Sequence, residues 1–242
     1  LSASHKAQQR FIASASHALQ TPVAALLSQA QVLKNTSATE ADCRQFVVSV
    51  EEEMRQLTRM VGSMLSLIRM ESGELERSQR VTTLNDPLVA AVDETRPAAA
   101  AKGVRLQLTL PDPEQSAEDP DVVGDAGLLQ TMAENLLRNA VRYSPPGQPV
   151  EIALEVDDDQ AVLTIADLGP ALSDAAIRSV FEREPQPALL DGARRGDGLA
   201  LAIARTIAEL HEGTIGVRNR AEGGAVFFVW LPLAGRRSET AE

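Results

Sequence analysis

The chain has 242 residues, enough for one or two domains with a sizeable core, and a formal net charge of −11. That charge argues against nucleic-acid binding, which requires a basic surface, so we expect no nucleic-acid partner. The single cysteine, Cys43, excludes a disulfide framework and a cysteine-based zinc site, and it is typical of a reducing compartment.

The sequence contains no apolar run long enough to cross a bilayer. The longest, Ala225–Ala234, contains Pro232 and is far shorter than the roughly 20 residues that a spanning helix needs. We therefore expect that this chain does not itself span a membrane. It begins with Leu1 rather than methionine, and we interpret it as a fragment of a longer protein.

Residues 1–75 carry two heptad seams, which predict two long helices. The first seam comprises Ile12, Ser16, Leu19, Val23, Leu26, Ala30 and Leu33, and the second comprises Val47, Val50, Met54, Leu57, Val61, Met64 and Ile68. Residues 35–40 interrupt the pattern and supply an N-cap, so the region is predicted to be an αα-hairpin. One hairpin cannot bury both seams on both sides. We therefore predict a homodimeric four-helix bundle, the alternative being a hairpin that packs on its own second domain.

Residues 80–233 alternate between strand and helix patterns, which predict a mixed sheet with helices on one face, an α+β two-layer sandwich. The predicted strands are Val104–Leu110, Val150–Val156, Ala161–Ala166, Thr214–Asn219 and Ala225–Leu231. The predicted helices are Pro87–Ala101, Gly127–Tyr143, Ser173–Phe181 and Gly198–Leu210. Residues 234–242 form a polar tail, which we expect to be disordered.

The first predicted helix presents a reactive side chain beside a bend. His17 follows Ser16 of the seam by about 100°, which puts the imidazole at the solvent edge, and Thr21 lies on the same face four residues later. Pro22 should bend the helix just beyond them. The alternative is a surface histidine on a coiled coil. We interpret His5 and His211 as ordinary histidines, because nothing comparable surrounds them.

The predicted helix Gly127–Tyr143 carries the strongest local signal. Asn135 and Asn139 are four residues apart on one face, where two amide oxygens can hold Mg²⁺. Arg142 and Tyr143 follow one turn later and can reach phosphate oxygens. The alternative is an amphipathic helix with a polar face.

Five short motifs resemble the boxes of bacterial sensor histidine kinases. Ser16-His17-x-Leu-x-Thr21-Pro22 resembles the H-box, and Glu134–Gly147 resembles the N-box that these kinases share with other Bergerat-fold (GHKL) ATPases. Asp167-Leu-Gly169 resembles the G1 box and Val180–Arg183 the F-box. Gly196-Asp-Gly198-Leu199-Ala200 resembles the G2 box. The four boxes after the hairpin stand in family order and spacing.

This resemblance implies the cytoplasmic core of a two-component kinase. Residues 1–75 would be the dimerisation and phosphoacceptor domain, and residues 80–233 the catalytic ATP-binding domain, of Bergerat fold. His17 would take the γ-phosphoryl group of ATP and pass it to an aspartate of a response regulator. Thr21 would orient water for a phosphatase activity. The parent protein would be anchored in the bacterial inner membrane.

The resemblance also assigns the nucleotide site. The Asp167 carboxylate would accept a hydrogen bond from the adenine amine, and glycine N–H groups at a helix N-terminus suit phosphate. The residues implied for ATP are Asn135, Asn139, Arg142, Tyr143, Asp167, Gly169, Gly196, Gly198 and Leu199, with Asn135 and Asn139 also implied for Mg²⁺.

Several positions depart from the family pattern. Ala18 stands where an acidic general base usually follows the histidine, and Gln20 stands at a usually basic position. Ala171 and Ala200 replace glycines of the G1 and G2 boxes.

The lid between Phe181 and Gly196 lacks the usual aromatic-x-Arg, for which Arg194 and Arg195 are the candidate substitutes. Because of these departures, an alternative interpretation is that the chain is a degenerate histidine kinase homologue, kinase-weak or phosphatase-only, that acts by binding its regulator. A third reading, a Bergerat ATPase of the chaperone or topoisomerase type, is disfavoured by the His17 hairpin.

Overall fold

The computed structural model describes residues 23–24, 26–34, 39–44, 46–51, 54, 80–112, 119–182 and 198–235. The chain divides into two compact units, Leu1–Arg69 and Met70–Glu242. Among the described helices, none combines the length and the apolar character that a membrane span requires.

In the first unit, the described residues form two helices, α1 (residues 23–24 and 26–34) and α2 (residues 40–44, 46–51 and 54). Thr39, in the stretch 35–40 that was predicted to supply an N-cap, caps α2. The Asp42 N–H donates to Thr39 Oγ1 at 3.2 Å, and the Thr39 N–H donates to Asp42 Oδ2 at 2.9 Å. Hydrogen bonds from the Thr39 hydroxyl and backbone lower the pKa of the Asp42 carboxyl. The Ser49 hydroxyl donates to Gln29 Oε1 at 3.1 Å, which joins the two helices.

The apolar seams are only partly covered within one chain. Leu26 is buried, but Val23, Val47 and Met54 are 43%, 62% and 42% exposed. Exposed apolar residues in a regular seam favour packing against another surface.

The second unit contains seven strands and four helices in its described residues. The strands are β1 (Arg80–Thr83), β2 (Arg105–Thr109), β3 (Asp121–Gly124), β4 (Pro149–Asp157), β5 (Gln160–Ala166), β6 (Thr214–Asn219) and β7 (Ala225–Pro232). The helices are α3 (Asn85–Lys102), α4 (Ala126–Tyr143), α5 (Asp174–Ser179) and α6 (Gly198–Leu210). All five predicted strands are confirmed to within one residue at each end, and all four predicted helices to within two.

A five-stranded sheet in the order β2-β4-β5-β7-β6 forms one layer, with β2 parallel to β4 and the other pairs antiparallel. Strands β1 and β3 pair separately as an antiparallel ribbon. This ribbon was not predicted from the sequence, because each strand has only four residues, too few for an alternating pattern to be distinct.

The core lies between the sheet and the helices. Alternate residues of the central strands point into the core, and the most buried among them include Ile152 on β4, Ile165 on β5 and Phe227 on β7. Helix α4 packs against both α3 and α6. The intervening residues of β4, such as Glu151 and Glu155, are exposed. The predicted two-layer sandwich with helices on one face is therefore confirmed.

Helix α4 is the central helix of this layer. It begins after Asp125, whose Oδ1 accepts a hydrogen bond from the Leu128 N–H at 2.9 Å. Its buried stripe includes Leu129, Met132 and Leu136, and it ends where Pro145 follows Ser144. The predicted tail, residues 234–242, lies outside the described residues beyond Gly235.

Candidate nucleotide-binding site

Asp167 follows directly after the last residue of β5, in the centre of the sheet. Its side chain is completely buried. The Asp167 N–H donates to the Ala225 carbonyl at 2.9 Å, and Asp167 Oδ1 accepts from the Gly169 N–H at 2.8 Å. These contacts fix the orientation of the carboxyl group. A buried carboxylate held in this way is a specific acceptor for a donor on a ligand.

Two glycines allow the backbone to pass close to this aspartate. A Cβ on Gly169 would lie 2.6 Å from the Tyr143 carbonyl oxygen. A Cβ on Gly224, where φ is +85°, would lie 2.0 Å from the Asp167 carbonyl oxygen. Neither position accepts a side chain without a shift of the backbone. Gly169 therefore lets the segment after Asp167 approach the end of α4, and Gly224 lets the chain before β7 approach Asp167.

Asn135 and Asn139 lie on one face of α4, as predicted from their spacing. Asn135 is half-buried, and Asn139 is only 2% exposed. Within the described part of the chain, the side-chain amide nitrogens of both residues are buried without a hydrogen-bond partner. Such atoms cost about 1–3 kcal/mol each when unsatisfied, so a polar ligand would stabilise them. The residues present therefore fit a nucleotide.

The amide oxygens of the same two residues are the candidate magnesium ligands. Among the described residues, no cluster of three or more His, Cys, Asp or Glu side chains is arranged to hold a metal ion. Oxygen ligands completed by water and phosphate are a usual environment of Mg²⁺.

Arg142 and Tyr143 close the last turn of α4. The Arg142 guanidinium carbon lies 5.7 Å from the centroid of the Tyr143 ring, within the range of a cation–π contact. Arg142 is exposed and Tyr143 is buried. A cation thus stands at the solvent edge of the α4 terminus.

The structure reveals two contacts at the site that the sequence analysis missed. Lys102 Nζ donates to the carbonyl oxygens of Val141, at 3.0 Å, and of Arg142. Asn219 binds both backbone groups of Leu172, accepting from its N–H at 2.8 Å and donating to its carbonyl at 2.7 Å. The position of Lys102 at a helix end was visible in the sequence. No local signal pointed to Asn219, because its partner is distant in the chain.

His211 joins the end of α6 to the start of α4. The imidazole is 6% exposed, its Nδ1 lies 2.7 Å from the Ile207 carbonyl oxygen, and its Nε2 accepts from the Asp125 N–H at 3.2 Å. Gly124 makes room for the ring, since a Cβ there would lie 2.2 Å from it. Burial lowers the pKa of His211, against opposing effects of the Ile207 carbonyl and the Asp125 charge.

The lowered pKa of His211 predicts a pH-dependent stability. Protonation of His211 is easier in the unfolded chain than in the folded one. The buried neutral imidazole therefore contributes fully to the stability of the fold above the ordinary pKa of about 6.5. It is lost, by up to about 1.4 kcal/mol per pH unit, as the pH falls from there towards the folded-state pKa. His211→Gln keeps an acceptor but does not titrate. Urea unfolding between pH 7.5 and 5.5 should show a steeper loss in the wild type, and equal slopes would contradict the assignment.

The structure describes only some of the other predicted positions. Ala171 has an exposed side chain, and its φ is not positive, so its conformation does not require glycine. Ala200 is half-buried in α6, which begins at Gly198 and continues with Leu199. Phe181 of the F-box packs edge-to-face on Phe227, with ring centroids 6.1 Å apart. The predicted residues outside the described ranges are His17, Ala18, Gln20, Thr21, Arg194, Arg195 and Gly196.

Two family models match the chain. The HisKA model, the His Kinase A (phospho-acceptor) domain, matches residues 7–73. The HATPase_c model, the histidine kinase-, DNA gyrase B- and HSP90-like ATPase, matches residues 124–235. The two matches follow one another along the chain, and the second contains every residue of the site described above except Lys102.

Curated relatives are sensor proteins. Sensor protein CutS of Streptomyces coelicolor is 33% identical over 94% of this chain and 53% of its own length. The signal transduction histidine-protein kinase BaeS of Escherichia coli is 31% identical over 92% of this chain and 46% of its own. The chain therefore spans about half the length of the curated relatives it matches.

Solved structures agree with these matches. Acinetobacter baumannii histidine kinase AdeS matches with a TM-score of 0.62 and 20% identity over 90% of this chain and 98% of that one, a likeness of fold. The mycobacterial sensor histidine kinase MprB matches with a TM-score of 0.53 and 25% identity over 64% of this chain and 97% of that one. With its phospho-acceptor domain followed by a GHKL ATPase domain, the chain belongs to the family of two-component sensor histidine kinases.

Proposed function

We propose that this chain is an ATP-dependent protein-histidine kinase, which phosphorylates His17 and then passes the phosphoryl group to an aspartate of a response regulator. The observation that carries the proposal is the buried Asp167 carboxylate, held by the Gly169 N–H near the end of α4, together with the Asn135 and Asn139 amide nitrogens of α4, which are buried without a hydrogen-bond partner. This is the donor and acceptor set that an adenine nucleotide needs, in a chain that matches a phospho-acceptor domain.

Binding of the nucleotide would begin with its base. Asp167 accepts from the exocyclic amine of adenine, while Gly169 leaves space for the base. Arg142 attracts the phosphates, and Tyr143 limits access of water to them. The backbone N–H groups of Gly198 and Leu199, at the start of α6, and of Gly196, two positions earlier in the sequence, would donate to phosphate oxygens. Arg194 and Arg195 add positive charge from the lid.

Asn135 and Asn139 would hold Mg²⁺ through their side-chain amides. When bound, the ion would neutralise phosphate charge and orient the terminal phosphate. The chain's own part is to fix the two amides one helical turn apart on α4, at a place from which water is largely excluded.

Phosphorylation of His17 needs an unprotonated imidazole nitrogen as the nucleophile. One imidazole nitrogen of His17 attacks the γ-phosphorus of ATP, the bond to the β–γ bridging oxygen breaks, and ADP leaves. In the second transfer, a carboxylate oxygen of the regulator's aspartate attacks the same phosphorus and His17 is released. Thr21 would orient a water molecule for the reverse function, hydrolysis of the phosphorylated regulator.

The domain organisation follows from these roles. Residues 1–75 would form the dimerisation and phosphoacceptor domain, residues 80–233 the catalytic ATP-binding domain, and residues 234–242 a polar tail. The partners are a second copy of the chain and a response regulator receiver domain. The chain would work in the cytoplasm, and its parent protein would be anchored in the bacterial inner membrane.

A comparison of ADP with GDP tests the nucleotide assignment directly. Guanine carries an oxygen where adenine carries the amine, so it would face the Asp167 carboxylate with a second acceptor. In calorimetry with Mg²⁺ we expect ADP to bind at least about a hundredfold more tightly than GDP, because a buried polar group without its partner discriminates strongly. Equal affinities would contradict the role of Asp167.

We also predict a homodimer through residues 8–72. Light scattering at micromolar concentration should give twice the chain mass, because the seam residues exposed in one chain need a second surface. Val47→Glu, in the seam and 62% exposed, should shift the mass towards the monomer. The control Val89→Glu, 39% exposed on α3, should remain dimeric. A monomeric mass for the unsubstituted chain would contradict the prediction.

A second candidate function is a degenerate homologue, kinase-weak or phosphatase-only, that acts by binding its regulator. Ala18 favours it, since a methyl group cannot accept a proton from the imidazole of His17. The substitution Ala18→Glu separates the two candidates, because it should raise autophosphorylation only if the nucleotide site is functional.

A further inference from the structure

Lys102 binds the C-terminal end of α4 from a different helix. It is the last residue of α3, and its Nζ donates to the carbonyl oxygens of Val141, at 3.0 Å, and of Arg142. The last four carbonyl groups of a helix have no partner within the helix, and a cation there also opposes the helix dipole. Lys102 therefore caps α4 at the turn that carries Arg142 and Tyr143.

Further backbone contacts hold the same helix end. The Gly147 N–H, in the loop after α4, donates at 2.7 Å to the carbonyl of Gly103, the residue that directly follows Lys102. On the Asp167 side, Gly169 lies so close to the Tyr143 carbonyl that a Cβ would come within 2.6 Å. The last turn of α4 thus contacts the end of α3 through Lys102 and the Asp167–Gly169 segment through Tyr143.

The charge of Lys102 acts on the same groups. Burial lowers the pKa of the Lys102 ammonium, the neighbouring Arg142 lowers it further, and the Asp167 carboxylate raises it. Lys102 is therefore electrostatically coupled to two residues of the candidate site. The chain has three lysines, and the other two, Lys6 and Lys34, belong to the first unit.

We propose that Lys102 is a positioning residue of the nucleotide site, whose ammonium group holds the last turn of α4, and with it Arg142 and Tyr143, against the Asp167–Gly169 segment. The proposal rests on the proposed function, because it assumes that a nucleotide binds at Asp167. Lys102 acts through Arg142 and Tyr143 and need not touch the nucleotide itself.

Three variants of the full chain test this role by calorimetry with ADP and Mg²⁺. Lys102→Met keeps the aliphatic stem but loses the ammonium, and we expect about tenfold weaker binding, because two hydrogen bonds from a charged donor are lost. Lys102→Arg keeps the charge and the donors, and should bind within about threefold of the wild type. The control Arg105→Met removes one positive charge from an exposed side chain on β2 and should bind like the wild type.

The outcome for Asp167→Asn separates this inference from the proposed function. Weak binding by both Asp167→Asn and Lys102→Met, with rescue in Lys102→Arg, supports the role of Lys102. Weak binding by Asp167→Asn alone overturns that role and leaves the nucleotide site intact. Affinities unchanged in both variants overturn the site itself.

A spectroscopic measurement on the wild type tests the same role of Lys102 without using the affinity of any variant. In a chain with ¹³C-labelled lysine, the Cε resonance missing from Lys102→Arg belongs to Lys102. We expect it to titrate at a lower pH than an ordinary lysine side chain, because burial lowers the Lys102 pKa, and to shift when ADP and Mg²⁺ are added. A resonance that stays unchanged while calorimetry shows binding would overturn the proposal, because a purely structural lysine remote from the site would behave in this way.

Discussion

Asp167→Asn is expected to abolish or greatly weaken adenine-nucleotide binding. Asparagine keeps the shape of the side chain, and its oxygen can still accept the hydrogen bond from the Gly169 N–H. The amide nitrogen then occupies the second oxygen position, where it turns a donor towards the adenine amine. Losing one partner of a buried charged hydrogen bond costs about 2–5 kcal/mol, which corresponds to a loss in affinity of at least about thirtyfold.

Calorimetry with ADP and Mg²⁺ measures this effect. The matched control is Asp174→Asn, which removes one negative charge from an exposed residue at the start of α5 and should leave the affinity unchanged. Thermal unfolding of both variants checks that the sheet is intact. An unchanged affinity in Asp167→Asn would refute the assignment of the adenine acceptor.

Ala18→Glu is expected to raise autophosphorylation by one or more decades without a change in nucleotide affinity. A glutamate beside His17 would accept the imidazole N–H and make the other ring nitrogen a better nucleophile, and a general base contributes about 10²–10⁴-fold. The rate of label transfer from γ-labelled ATP measures the effect. The phosphatase activity that we assign to Thr21 should improve little.

The competing explanation is that weak autophosphorylation arises in the nucleotide site and not at Ala18. If Ala171, Ala200 and the residues of the lid prevented productive ATP binding, Ala18→Glu would not restore labelling. A substitution in residues 1–75 cannot repair the nucleotide site. Ala18→Gln is the matched control, since it has nearly the same size but is not a base. No rescue despite normal ATP binding would refute the general-base argument.

The regular elements of the second unit were predictable because their signals are local. The strands β4 and β5 alternate more buried and less buried residues over six or more positions, and this alternation is visible in the sequence itself. The ribbon of β1 and β3 was not predictable, since each strand is short and its partner lies beyond α3 and β2.

The candidate site divides in the same way. Asn135 and Asn139 were predictable because their spacing defines one helix face. The contacts of Lys102, Asn219 and His211 join residues 39, 47 and 86 positions apart, and only the folded chain brings them together. A local sequence pattern does not reveal a contact between two residues so far apart in the chain.

The measurement that tests the central claim most directly is incubation of the chain with γ-labelled ATP and Mg²⁺. The account predicts a labelled protein whose phosphate is acid-labile and alkali-stable, as a phosphohistidine is, and whose label disappears in His17→Ala and falls sharply in Asp167→Asn. A chain that binds ATP normally but carries no such label, either as it is or as Ala18→Glu, would contradict the account.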